Sequence, residues 1–291
     1  MNAFLAKLLK EQPVITDGAW GTQIQQLGLP AGVCPDAWNI ENPAAVQKVA
    51  RSYVEAGSRI ILTNTFGASR TMLERHDLSD KAAAINRAGA EISRRAAGDK
   101  AFVFGSMGPS GKLYFTGEIA ESELASAFEE QAMALAEGGA NGIVIETMSE
   151  LDEAKIALKA ARKTGLPVVV SMVYDSGQEF DRTMMGSTPE EAVEALKGEG
   201  ADVIGANCGM GIEFITTVAR RLRAATDLPI WIKPNAGLPE VVDGKVTYNI
   251  TPAQFAAHAL KVSETGINFI GGCCGTSPDF IREVKRTLKK K

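Results

Sequence analysis

Four cysteines and two histidines set the limits of the metal and nucleophile chemistry open to this chain. Cys273 and Cys274 are adjacent within GGCCG, and Cys208 stands far upstream in NCG. The paired C-x-x-C knuckles of a structural zinc ribbon are absent. Two histidines cannot build a three-histidine zinc site, and no H-E-x-x-H protease motif is present. Three soft ligands converging on one point, with a fourth position open, form a catalytic zinc site. Adjacent cysteines can both turn toward one point where the backbone curls, and Gly271, Gly272 and Gly275 permit that curl. The plainer alternative is three buried cysteines beside a glycine turn. Three thiolates on Zn2+ leave a negative centre. Such a centre is a weak Lewis acid for water, but it takes up a further thiol, which coordination deprotonates. The chemistry this predicts is alkyl transfer to a substrate thiol, not hydrolysis.

Two carboxylates belong beside the cysteines. Asp17 precedes Gly18 in DGAWGT, and Glu146 ends the apolar run GIVIE. A buried acid needs a partner, and a substrate ammonium group is one. Turn capping is the competing role for Asp17, and a salt bridge across the site is the competing role for Glu146. Asn235 in PNAG is placed to hydrogen-bond a substrate amino group or a ligand-bearing loop. Exposed N–H groups around Gly18 and Gly21 suit a carboxylate. Asn64 and Asn207 read as loop organisers, and Cys34 as dispensable. Trp20 and Trp38 read as packing over the site, or as part of a cage for a quaternary ammonium donor. Lys233 is the one lysine suited to a Schiff base, which keeps a barrel lyase or aldolase in view. His76 reads as a solvated helix end and His258 as a helix flank, both outside functional loops.

These residues need a frame that gathers strand ends. Apolar, β-branched runs fall at residues 14–16, 59–63, 102–106, 142–145, 168–173, 203–206, 230–233 and 268–271. Continuous apolar runs such as GIVIE and PVVVSM suit parallel strands buried on both faces. Amphipathic segments alternate with them at 44–56, 81–97, 121–137, 150–163, 189–197, 212–225, 252–264 and 278–288. The phrases EAGSRI, EGGANGI, GEGADVI and ETGINFI form a weak repeat, each stopping a helix with glycine before a strand begins. Eight strands alternating with eight helices predict a single-domain α/β protein, a (β/α)8 TIM barrel over residues 1–291. A doubly wound sheet is the weaker choice, because DGAWGTQ is not a G-x-G-x-x-G fingerprint. In a barrel the active site lies at the C-terminal strand ends. Asp17, Glu146, Cys208, Asn235, Cys273 and Cys274 all fall there.

Composition excludes several classes. The chain has 291 residues, 45% hydrophobic and 23% charged, with a net charge of −4. No basic excess points to nucleic acid. No apolar run reaches the roughly 20 residues that span a bilayer. MNAFLAKLLKEQP carries lysines within its apolar stretch and reads as a short amphipathic helix, not a signal peptide. A cytoplasmic protein with reduced thiols is the expectation. The run Lys285, Arg286, Lys289, Lys290 and Lys291 reads as a solvated helix end. Met107, Met148, Met172, Met184, Met185 and Met210 read as core and rim filling.

DGAWGTQI, LTNTFGA, NCG, PNAG and GGCCGT occur in the order and spacing of the zinc-dependent homocysteine S-methyltransferases, which this chain resembles over nearly its whole length. DGAWGT, NTFGA and PNAG are most similar to the homocysteine module of cobalamin-dependent methionine synthase. The resemblance implies a (β/α)8 barrel and one catalytic Zn2+ held by Cys208, Cys273 and Cys274. It implies homocysteine as methyl acceptor, recognised through Asp17, Gly18 and Glu146, with Asn235 the further candidate for substrate binding. It also implies methylcobalamin as donor, carried by a separate corrinoid protein or domain, since neither histidine lies in a D-x-H-x-x-G cobalt-ligand motif. The competing expectations are a betaine- or S-methylmethionine-dependent enzyme of the same family, and a non-catalytic zinc-binding subunit.

Overall fold

The computed structural model describes residues 2–242 and 245–289. Met1 and the last two residues of the basic run, Lys290 and Lys291, lie outside them. The chain runs through α1 (Ala3–Leu8), β1 (Val14–Ile15), α2 (Gly21–Gln26), α3 (Trp38–Glu41), α4 (Pro43–Ala56) and β2 (Ile60–Leu62). It continues through α5 (Arg70–Leu73), α6 (Ala82–Ala97), β3 (Phe102–Met107), α7 (Glu121–Glu137), β4 (Gly142–Met148) and α8 (Leu151–Arg162). Then come β5 (Val168–Met172), α9 (Pro189–Gly198), β6 (Val203–Cys208), α10 (Ile215–Ala225) and β7 (Ile230–Pro234). The last elements are β8 (Pro239–Val242), β9 (Lys245–Tyr248), α11 (Pro252–Ser263), β10 (Phe269–Ile270) and α12 (Pro278–Leu288).

Eight of these strands form one parallel sheet in the order β1-β10-β7-β6-β5-β4-β3-β2. The two end strands are β1 and β2, and the seam between them is bridged. Arg59 N donates to Ile15 O at 2.7 Å, and Ser58 Oγ to Thr16 O at 3.3 Å. Where β1 has run out of main chain, the Asp17 carboxylate substitutes and accepts from Leu62 N at 2.7 Å. The result is the expected (β/α)8 barrel.

Helix boundaries follow local chemistry. Thr188 and Glu191 form a capping box at the start of α9, and Thr251 and Gln254 do the same for α11. Pro43, Pro189, Pro252 and Pro278 sit in first turns, where a missing N–H costs nothing. The first barrel strand ends at Ile15 and the eighth spans Phe269–Ile270, each shorter than its apolar run. The antiparallel pair β8 and β9 was not expected.

The barrel interior reads from the period of two along each strand. Phe104, Val144, Val169, Val203, Trp231 and Phe269 fill its lower part, with Phe104 and Trp231 stacked at 6.2 Å. The N-terminal helix α1 closes that end with buried Leu5 and Leu8. Two residues further along, the same faces carry Ser106, Glu146, Ser171, Gly205, Lys233 and Gly271. Apolar packing therefore gives way to a polar floor near the C-terminal strand ends. The opposite faces, such as Ile143, Ile145, Val168 and Val170, pack under the helices. Among the described residues no helix is long and apolar enough to cross a membrane.

Candidate functional site: a three-cysteine centre at the barrel mouth

Cys208 ends β6 with φ 59°, and Gly209 follows with φ 70°. This left-handed pair turns the chain sharply as the strand ends. GGCCG follows β10, with Gly272 packed so closely on Thr276 that a Cβ would lie 2.4 Å from its hydroxyl. The two turns bring Cys208 Sγ to 3.2 Å from Cys273 Sγ and 3.8 Å from Cys274 Sγ. All three sulfurs lie within 4.8 Å of one another. A tetrahedral site with Zn–S bonds of about 2.3 Å needs sulfurs roughly 3.8 Å apart. The donor set and its spacing fit a soft divalent metal. Without a cation the thiols cannot ionise together. Hydrogen bonds from Cys208 and Cys273 hold Cys274 below the usual thiol range, while contacts with Cys273 and Cys274 push Cys208 well above it.

Two asparagines hold the ligand loops. Asn235 donates from Nδ2 to Gly209 O at 2.9 Å and accepts from Cys274 N at 3.0 Å. It thereby ties the Cys208 turn to the Cys274 turn, the second of the two roles expected of it. Asn207 accepts from Thr147 N at 2.8 Å and Ser171 Oγ at 2.7 Å, and donates to Thr147 Oγ1 at 2.7 Å. Thr147 sits at φ 61°, where β4 shifts register just past Glu146. Asn64 likewise organises a loop, donating to Pro35 O and Asn39 Oδ1.

A cavity of about 490 Å3 opens over this centre. Cys208, Cys273, Cys274, Glu146, Lys233 and Gly18 border it. Asp17 and Asn235 stand behind its wall. The Asp17 carboxylate, fully buried, pairs with Lys233 and accepts from Trp20 Nε1 at 2.7 Å besides Leu62 N. Glu146 accepts from Ser106 Oγ and is 7% exposed. Burial, with Cys273 and Asp17 adding to it, pushes Glu146 up to about 7 against the pull of Lys233 and Ser106. Burial acts to lower Lys233, but Asp17 and Glu146 outweigh it and leave the ammonium raised. A Schiff-base nucleophile needs the opposite shift, so the lyase alternative loses its residue.

The far wall holds three residues given no role from the sequence, Asp36, Phe66 and Met72, beside Cys34 and His76. His76 is exposed as expected, yet it borders the functional cavity, because α5 folds its loop back over the mouth. Asp36 is 5% exposed, accepts from Gly67 N at 3.1 Å and lies beside Cys34, and burial pushes it up to about 6. Trp20 lines the cavity while Trp38 does not, so the two do not form one cage. Ser106 and Lys233 carried a usable signal, since each lies two residues beyond an interior aromatic residue.

The fold and site together define a (β/α)8 barrel whose mouth gathers three cysteines, able to ligate a soft metal, beside a cavity of about 490 Å3. The family model described as homocysteine S-methyltransferase matches residues 14–288, and the chain belongs to that family. It is 32% identical to the methionine synthase of Mycobacterium leprae over 98% of its own length and 25% of that protein. It is also 32% identical to the methionine synthase of Mycobacterium tuberculosis, over 96% of the chain and 25% of that protein. The chain thus spans about a quarter of the curated relatives it matches. Among solved structures, the metallated form of the homocysteine methyltransferase MmuM from Escherichia coli superposes with a TM-score of 0.81 at 22% identity. The match covers 97% of this chain and 99% of that one and shows the shared fold.

Proposed function

We propose that this chain transfers a methyl group to the thiol of homocysteine, giving methionine, with Zn2+ at Cys208, Cys273 and Cys274. The observation that carries this reading is the convergence of the three sulfurs at one strand-end face, above a cavity that Glu146 also borders. A zinc ion held by these three cysteines would supply the positive charge that stabilises a substrate thiolate. The chain's own residues do the rest. Asn235 and Asn207 fix the ligand-bearing turns. Glu146 takes the substrate ammonium, a partner that offsets the burial of its carboxylate. Gly18 and Gly21 border the same space. Asp17 acts from behind the wall by holding Lys233.

The donor in this reading is a methylcorrinoid carried by another domain or protein. The cavity holds an amino acid but not a corrin ring, so the donor must meet the sulfur at the mouth. In-line displacement needs the methyl carbon about 3–3.5 Å from the sulfur, opposite its leaving group. Phe66, Phe115, Met184, Phe214 and Leu238 are exposed on loops that follow five different strands, an apolar rim suited to a docking partner. The similarity to a quarter of two methionine synthases supports the same donor. A three-thiol centre also favours the cytoplasm, where thiols stay reduced.

The test is turnover with homocysteine and alternative donors. Free methylcobalamin serves slowly, and a cognate methylcorrinoid protein accelerates methionine formation. Rapid saturable turnover with betaine or S-methylmethionine, and none with methylcobalamin, assigns the small-donor branch instead. No methionine from any donor, with metal bound, leaves a zinc-binding subunit.

A further inference from the structure

In the reading above, the homocysteine ammonium has Glu146, but the α-carboxylate has no cation. Lys233 offers one. It lies on β7, paired in register with Asn207 of β6, and its side chain is 2% exposed at the cavity floor. An ammonium carries three N–H donors. One goes to Asp17. Among the described residues no other side chain or main-chain oxygen hydrogen-bonds to Lys233, and the Trp231 ring lies 5.9 Å from its nitrogen.

Asp17 cannot swing away to serve another group. Trp20 Nε1 and Leu62 N anchor its second oxygen, which fixes the direction of the Lys233 ammonium. Asp17 and Lys233 cancel in charge, while Glu146 is left over. A zwitterion that laid its ammonium on Glu146 alone would bury an unpaired carboxylate beside two acids. Laid across Glu146 and Lys233, it makes an alternating row of charges, each next to its opposite.

We propose that Lys233 receives the α-carboxylate of the substrate, with Asp17 as its positioning residue, and so selects an α-amino acid over other thiols. The proposal rests on the homocysteine reading and deepens it. It adds no bond-making step.

Binding titrations of the zinc-loaded protein test it with three thiols. These are homocysteine, aminopropanethiol (no carboxylate) and sulfanylbutanoate (no ammonium). The protein prefers homocysteine over aminopropanethiol by roughly 10- to 100-fold, the range for a charge-assisted hydrogen bond. Lys233→Met collapses that preference toward unity. Because Lys233→Met leaves a buried Asp17 uncompensated, the double variant Asp17→Asn with Lys233→Met removes both charges and reports the same ratio. An undiminished preference in either variant overturns the proposal and leaves the carboxylate to the main chain around Gly18. Equal loss of affinity for all three thiols overturns it in favour of a structural role. Failure of the unmodified protein to bind any of the thiols sinks the homocysteine reading itself, a result distinct from both.

Discussion

The carboxylate of Asp17 accepts at once from a buried lysine, an indole and a main-chain N–H. Its type and its place after β1 were legible in the sequence, but its partners were not. They come from β2, β7 and the following loop, and only barrel closure brings them together. Cys208, Cys273 and Cys274 were legible because type and strand-end position coincide. Replacing any of the three by serine is expected to remove the metal and activity while the barrel still folds; metal analysis and circular dichroism check this. Cys34→Ser is expected to keep full metal content, since its sulfur lies beside Asp36 and outside the three-cysteine cluster. Asp36 gives a pH prediction. Burial raises it from 3.8 to about 6, so the folded state holds a proton that the unfolded state releases. The associated stability is full below pH 4 and is lost as pH rises through 6. Asp36→Asn removes that dependence. Relative to the variant, the unmodified protein is expected to lose about 2 kcal/mol between pH 4 and 7. Denaturant titrations that stay parallel across this range would contradict the assignment.

At the scale of elements, the barrel strands were readable as apolar runs, and the helix starts as proline and threonine signals. The pair β8 and β9 was missed, although valines, Thr247 and Tyr248 flank an Asp-Gly dipeptide in the sequence, a strong hairpin signal. The polar floor was also missed, because one Ser, Glu or Lys within an apolar strand is visible only when faces are read separately. Two elements yield sharp expectations. A Cβ on Gly205 of β6 would lie 2.1 Å from Trp231 O of β7, which is main chain and cannot yield. Gly205→Ala is expected to destabilise by about 3 kcal/mol or more, measured by denaturant unfolding. Asn235→Ala unties the Cys208 and Cys274 turns. Metal affinity should fall roughly 10- to 100-fold, as for other residues that orient ligands. A competitive chelator assay reads this directly, and unchanged affinity would show that the turns hold without it.

At the scale of the molecule, a closed barrel explains why residues from opposite ends of the chain meet. Asp17 and Cys273 lie just past strands adjacent in the sheet, β1 and β10, which are joined by pairs such as Val14 with Phe269. The half-buried sulfurs sit under an apolar rim, so the substrate sulfur would be held within reach of a donor outside the barrel. The central proposal is that Cys208, Cys273 and Cys274 would hold a zinc ion that binds the homocysteine sulfur. X-ray absorption at the zinc edge, with and without homocysteine, tests it most directly. The account predicts one sulfur added to the zinc shell on homocysteine binding, and unchanged coordination at saturating homocysteine would contradict it.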